Sequence, residues 1–364
     1  MTRVDVAVVG LGLAGSAAAW ALSRRGRSVV AFEAFQAGHR RGSSHGRSRI
    51  FRRAYPDPLY VELTGRAGEL WRRLEQDCGE SLLSRTGGLD HGPGGEPELM
   101  AGLLAQAGVP AELVSPDDAV RRWPGMSFKG PVLFHPEAGV IDPEQAMAAM
   151  TRLATSAGAR LSYGTRVEAL EPHGDGVRVH TGSGSWHART VVVAAGGWAE
   201  RLLSGLVELP PLTVTQQQAF FFSPYEPAAW PTFICEDDDA VYGLPEGTLV
   251  KVAEHHRGRV TTADGRDGIV DPAARERVTS FVRRWLPGLD PAPRSELTCL
   301  YTSTPSEDFI LDRHGPIVVC SPCSGHGAKF APLIGEIAAD LADGRPPIHE
   351  RFTLAGHSER SAAS

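Results

Sequence analysis

Cysteine is scarce and odd in number, with five in 364 residues. A secreted disulfide framework is dense in paired cysteines within a short chain, so none is expected here. An excess of basic charge is also missing. Lys and Arg number 37 against 43 Asp and Glu, a net charge of −6 with His neutral. The molecule as a whole therefore offers no attraction to nucleic acid or to an anionic bilayer. No apolar run reaches the roughly 18 residues of a membrane span. Strand-like residues begin at Val4 without a charged segment and apolar run ahead of them, so no secretory leader is expected. Internal repeats and low-complexity linkers are lacking, and the final Ser-Ala-Ala-Ser is not a peroxisomal address. These absences predict a protein of the reducing cytoplasm.

The residues present are those of an ordinary globular chain, 42% hydrophobic and 22% charged, a poor match to disorder or coiled coil. The length suggests roughly two domains. Val4–Val9 is a short apolar run followed at once by Gly10-Leu-Gly12-Leu-Ala-Gly15. Ser16–Leu22 reads as an Ala-rich helix, Ser28–Phe32 as a second strand, and Glu33 closes it. In a strand–glycine turn–helix unit each glycine has a task. Gly10 permits the sharp turn, Gly12 lets the backbone approach a pyrophosphate, and Gly15 lets helix and strand pack closely. The helix N-terminus adds free N–H groups and a partial positive charge. Glu33 stands 18 residues past Gly15, where a carboxylate can accept from a ribose diol. That acid disfavours NADP and leaves both NAD and FAD open.

Six arginines then fall within residues 40–53, interleaved with Gly42, Ser43, Ser44, Gly46 and Ser48. Small residues let backbone lie against a flat ligand, and arginine pairs with carboxylate or phosphate through two bonds. The stretch therefore reads as a ligand contact. Helices are predicted at Pro58–Asp77, Glu96–Ala107, Pro116–Trp123, from Asp142-Pro143 to Ala157, and at Asp271–Trp285, with a last one over Gly327–Leu341. Gly87–Gly95 reads as a turn. Strands are expected within Arg160–Val179 and at Thr190–Ala195, Leu212–Phe222, Val241–His255 (two, joined by a turn), Glu296–Thr302, Phe309–Leu311 and Ile317–Val319. Long antiparallel-looking insertions after a parallel start imply an α/β protein whose two domains interleave.

Five stretches together resemble the monomeric sarcosine oxidase family of flavin amine oxidases, which includes N-methyltryptophan oxidase. They are the N-terminal glycine turn, Gly42–Arg52, Lys251–His255, Cys299-Leu-Tyr301-Thr, and Ser324-Gly325-His326-Gly327-Ala328-Lys329-Phe330. The resemblance runs nearly end to end and decides for FAD over NAD. It implies a Rossmann-type FAD-binding domain, glutathione-reductase-like, over residues 1–85, 143–207 and 303–364. A mixed, largely antiparallel substrate domain with helices would occupy 86–142 and 208–302. The implied reaction is oxidation of an N-methyl or other secondary amino acid: hydride transfer to flavin N5, imine hydrolysis, and reduction of O2 to H2O2. A cyclic imino-acid oxidase of the pipecolate or proline type, or a flavin amine dehydrogenase in a biosynthetic pathway, is the alternative. The implied partners are an amino-acid substrate and O2, and the implied state is a monomer.

The resemblance also assigns residues. Cys299, with Tyr301 two places on, matches the cysteine that carries the flavin through a thioether, and nearby cations should lower its pKa to favour the thiolate. Arg52 and Lys329 match a clamp for the substrate carboxylate, with Tyr242 and Gly325 beside the substrate. Lys251 matches the lysine of dioxygen reduction, where a fixed ammonium stabilises superoxide. His255 falls on the same strand face as Lys251 by period-two counting, and His256 would point away without a function. His45 and Arg49 match residues near the ring, and Tyr301 joins them. Cofactor contacts are expected from Gly10, Gly12, Ala14, Gly15 and Glu33 at the dinucleotide end, and from Arg41, Ser43, Ser44 and Arg49 in the arginine stretch. Val167, Ala195, Gly196, Trp198, Gly325, Gly327 and Lys329 complete that set. Two features depart from the family pattern: Cys320-Ser-Pro-Cys323 and Ala328. The cysteine pair with His326 could belong to a metal site or a redox disulfide. No second ligand pair stands at zinc spacing, so free thiols and no metal are expected.

Overall fold

The computed structural model describes residues 2–237 and 240–363. Strand Gly184–Val193 lies at the centre of the first sheet. It pairs in parallel with Thr2–Val9 on one side and with Ile317–Ser321 on the other. Parallel pairing continues outward from Thr2–Val9 to Val29–Phe32 and then to Arg160–Ser162. An antiparallel hairpin, Val167–His173 and Gly176–Thr181, extends the opposite edge. Ala7, Val8, Val191, Val192 and Val193 are wholly buried, as strands covered on both faces must be. Helix Leu13–Arg24 packs between helices Pro143–Ser156 and Ala331–Ala342. At its C-terminal end Arg25 reaches Asp340 at 2.8 Å and Asp343 at 3.1 Å.

Thr213–Phe222 anchors the second sheet, pairing antiparallel with Ser295–Ser303, Leu249–Glu254 and Arg259–Val260. The sheet continues through Ala240–Glu246, Thr232–Glu236, Gly88–His91, Val132–His135 and Glu112–Val114. Only the pairing of Gly88–His91 with Thr232–Glu236 is parallel among these. Helix Pro272–Trp285 covers its back, capped by the Asp271 side chain, which accepts from Ala273 N–H at 2.9 Å. A small third sheet pairs Arg49–Phe51, from the end of the arginine stretch, with Gly139–Ile141 and through it with Leu83–Arg85. None of the described helices is long and apolar enough to cross a membrane.

Three expectations need correction. Gly87–Gly95 is more than a turn, because Gly88–His91 is a strand buried along its whole length. Its partners on both sides hold it extended, and neither is near in sequence. Gly327–Leu341 is not one α-helix: Gly327–Phe330 forms a 3₁₀ turn and the α-helix begins at Ala331. Lys329 therefore sits ahead of the helix. The second strand of the Val241–His255 pair ends at Glu254, so His255 leaves the strand that carries Lys251.

Candidate active site

One cavity of ≈ 1530 Å³ runs from the N-terminal glycine turn to the second sheet. At its first end Gly10 has φ +95°, a left-handed backbone that favours glycine. A Cβ on Gly15 would stand 1.8 Å from the Gly10 carbonyl oxygen, so only glycine lets the helix approach. Glu33 Oε2 accepts from Leu11 N–H at 2.9 Å and Oε1 from Phe35 N–H at 3.1 Å. Burial pushes this carboxyl up, but His39 and those two N–H groups hold it below its ordinary value. A carboxylate has about four acceptor sites, so Glu33 retains capacity for a ribose diol. Leu13 N–H donates to Ser44 Oγ at 3.1 Å, tying the helix start to the arginine stretch. These residues fit an adenine dinucleotide.

The loop of residues 42–48 is wound around one guanidinium. Arg49 donates to the carbonyl oxygens of Ser43, His45 and Ser48 at 2.7–2.8 Å. Lys251, 3% exposed, donates from Nζ to the Ser48 carbonyl oxygen at 3.2 Å. Burial and the Arg49 charge push the Lys251 ammonium pKa down to about 7. His45 lies between the carbonyl oxygens of Gly42 and Thr298, and burial with Arg49 and Arg266 pushes it down to about 4. Cys299 faces this group from Ser295–Ser303. Its thiol is pushed up, not down, because burial outweighs the pull of Arg49, Lys251 and Arg266.

A second cationic group faces the same cavity. Arg52 lies over the Tyr55 ring at 4.7 Å, and Lys329 Nζ lies 5.4 Å from the same ring. Lys329, 6% exposed, donates to the His326 carbonyl oxygen at 2.9 Å. Burial and the Arg52 charge hold its pKa well below the usual lysine range. Gly325, at φ +76°, could not carry a Cβ: it would stand 2.5 Å from the Tyr301 ring and 2.8 Å from His255. The Tyr301 hydroxyl is 3.4 Å from His255 Nδ1, and Tyr242 meets the His255 ring edge-on. Burial, His256, His326 and the two cations push the His255 pKa down to about 2.

All the expected site residues line this cavity except Gly15, which packs behind it, and Arg41, whose guanidinium lies 5.8 Å over the Phe35 ring while Arg40 lines the wall. Ala14, Ser43, Val167, Ala195, Gly196, Trp198 and Gly327 are among those that do. His256 does not point away. Its φ of +59° lies in an irregular link between Leu249–Glu254 and Arg259–Val260, which run in one direction along Thr213–Phe222, and its ring lies 3.8 Å from that of His255. Among the described residues all five cysteines are free, and Cys323 Sγ accepts from Thr302 N–H.

Sequence reasoning missed three groups. Asp90 Oδ1 accepts from Arg52 at 2.6 Å and its Oδ2 lies 2.9 Å from His135 Nε2, all three largely buried. Burial pushes the Asp90 carboxyl up, but Arg52 and His135 hold it below its ordinary value. Glu236 lines the cavity, and there burial wins, raising its carboxyl despite Arg52. An aspartate in a wholly buried strand is a signal, but burial of Gly88–His91 is not legible from its composition.

The fold and the crevice define a class: the family model described as FAD dependent oxidoreductase matches residues 5–341, and the chain belongs to that family. More particularly, it is 36% identical to a monomeric sarcosine oxidase of Streptomyces avermitilis, covering 93% of each chain. It is 33% identical to an N-methyl-L-tryptophan oxidase of Yersinia pestis, over 96% of this chain and 98% of the relative. Among solved structures, NikD, described as an unusual amino acid oxidase essential for nikkomycin biosynthesis, superposes with a TM-score of 0.87 at 28% identity. That match covers 97% of this chain and 98% of NikD. The L-proline dehydrogenase of P. horikoshii matches equally in TM-score, at 22% identity, which bears on the fold alone.

Replacing Asp90 by Asn leaves the buried Arg52 without its ionic partner. The expected cost is about 3–5 kcal/mol, read as a lower urea midpoint of the flavin-loaded protein. Because the folded carboxyl titrates below its unfolded value, its contribution in wild type is present above pH about 4 and fades as pH falls through the folded value. The variant should lack that acid-side loss. An unchanged midpoint would show that the pair contributes nothing.

Proposed function

We propose that the protein is an FAD-dependent oxidase of N-methyl or other secondary amino acids. The observation that carries this reading is the presence of two separate buried cationic groups on one dinucleotide-type cavity: Arg52 with Lys329 about Tyr55, and Lys251 with Arg49 about Ser48. Bound FAD would accept a hydride from the carbon beside the substrate nitrogen and pass the electrons to O2, giving peroxide and an imine that water hydrolyses. The first cationic group orients the substrate. Arg52 is already compensated by Asp90, so Lys329 supplies the larger share of attraction for a carboxylate. The same positive charge disfavours the substrate ammonium, so the amine is favoured in its neutral form, and His255, kept neutral by burial and the same cations, adds a polar wall without a further charge. Gly325 lets Tyr301 and His255 close the wall against water.

Lys251 serves the other half of the reaction, holding a positive charge where O2 becomes superoxide. Cys299 is the residue proposed to hold the flavin covalently; Arg49, Lys251 and Arg266 favour its thiolate against burial. The free cysteines and acidic balance support a cytoplasmic protein without nucleic-acid or membrane partners, and likeness to a monomeric sarcosine oxidase supports action as a monomer on a small substrate.

The deciding experiment is a peroxide assay across N-methyl amino acids, cyclic imino acids and the matching amines without a carboxylate. Peroxide from secondary amino acids and little from the bare amines is expected. Preference for proline-like rings would favour the cyclic imino-acid reading. Flavin bleaching without peroxide under air would favour a dehydrogenase, and no bleaching with any amine would overturn the proposal.

Protein precipitated with acid should stay yellow, and Cys299→Ser should release its flavin to the supernatant under the same treatment. A colourless wild-type pellet would remove the thioether. In stopped flow, reoxidation by O2 should slow as pH rises through about 7, where the Lys251 ammonium loses its proton. Lys251→Met should abolish that step and slow reoxidation by about 10²-fold or more, with anaerobic reduction changed only a few-fold. Equal slowing of both half-reactions would deny Lys251 its part.

A further inference from the structure

At the rim of the substrate cavity three potential ligands converge from two loops. His255 and His256 follow strand Leu249–Glu254, and Glu307 lies in the loop after Ser295–Ser303. One nitrogen of each imidazole and one carboxylate oxygen all lie within 4.8 Å of one another. His256 Nε2 is 3.1 Å from Glu307 Oε1. Two residues other than glycine adopt left-handed backbone here, His256 at φ +59° and Glu307 at φ +61°. Such conformations cost free energy and persist where surrounding structure fixes them, often at functional sites. At Glu307 that fixing is visible. Its N–H donates to the Thr304 carbonyl oxygen at 3.2 Å, and its own carbonyl oxygen lies 3.0 Å from His326 Nε2. At His256 the preceding residue is held, with His255 N–H donating to the Ala240 carbonyl oxygen at 2.8 Å.

We propose that His255, His256 and Glu307 form a binding site for one divalent transition-metal ion of the zinc class, and that its occupancy inhibits substrate oxidation. Two imidazoles and one carboxylate are a borderline donor set suited to zinc rather than to calcium or magnesium, which prefer oxygen alone. Tetrahedral zinc places its ligand atoms roughly 3.3 Å apart. His256 and Glu307 already stand near that spacing, and a ring adjustment brings in His255. A ligating imidazole needs its other N–H held, and the Tyr301 hydroxyl oxygen, 3.4 Å from His255 Nδ1, is placed to accept it. His256 and Glu307 are exposed, and His255 and Glu307 both border the cavity. The ion can therefore enter from solvent and leave its open position toward the substrate. Binding it would fix His255 and occupy space the substrate needs, so inhibition should appear mainly as a raised KM.

The test titrates zinc chloride into flavin-loaded protein freed of metal by a chelator, followed by calorimetry, which reads binding independently of turnover. Wild type should bind one ion per chain. His256→Gln and Glu307→Gln should each weaken binding by about ten-fold or more. In a peroxide assay both variants should keep wild-type activity without metal and lose sensitivity to zinc, while EDTA should restore the wild type. Absence of saturable binding to wild type overturns the proposal. So does equal affinity in both variants, which would place the ion elsewhere, for example at Cys320 and Cys323. If zinc binds as expected but no amine is oxidised, the metal site stands and the reaction assignment falls.

Discussion

Burying a lysine ammonium without a counter-ion is costly, and this chain buries two in the walls of one cavity. Lys251 and Lys329 are 3% and 6% exposed, and burial pushes both pKa values down. Neither donates to a carboxylate: each gives a hydrogen bond to a backbone carbonyl oxygen, of Ser48 and His326 respectively. A carbonyl satisfies a donor but does not neutralise a charge. The fold thus holds two electrostatic deficits that anions relieve, and much of the surrounding structure keeps them in place.

The two deficits are kept apart by different means. Around Lys251 the arginine stretch folds onto Arg49, whose three hydrogen bonds fix the carbonyl oxygens of residues 43–48. Lys251 borrows one of those fixed oxygens. Around Lys329 the support is aromatic and ionic. Tyr55 lies beneath both cations, and Asp90 with His135 compensates Arg52 from behind. Arg52 is thereby stiff and nearly neutralised as a pair, whereas Lys329 keeps the free field. Tyr301 and His255 stand between the groups, and the missing side chain at Gly325 gives them room.

Much of this was legible because local chemistry declared it. The glycine turn and Glu33 form one parallel unit, and the Asp271 cap with Pro272 opened its helix as expected. Other features depended on contacts distant in sequence. Gly88–His91 looks like a turn by composition and is a strand by pairing, which is why Asp90 was overlooked behind Arg52. The cations near Cys299 do pull its thiol down, as the sequence suggests, but the net shift is upward. Desolvation scales with burial, and burial exceeded the effect of three nearby cations. Period-two counting puts His256 on the far strand face, yet the strand ends at Glu254 and a left-handed residue interrupts the alternation before pairing resumes at Arg259.

Readable along the chain are the dinucleotide turn, most of the helices and strands, and the residue types that could meet a flavin and a small anion. These follow from spacing along a few residues and from steric limits that act locally. Which charges are compensated, which way each pKa moves, and the meeting of His255, His256 and Glu307 at one rim emerge with the folded chain. Those properties depend on solvent exclusion and on approach between segments tens to hundreds of residues apart, and neither is a function of local spacing.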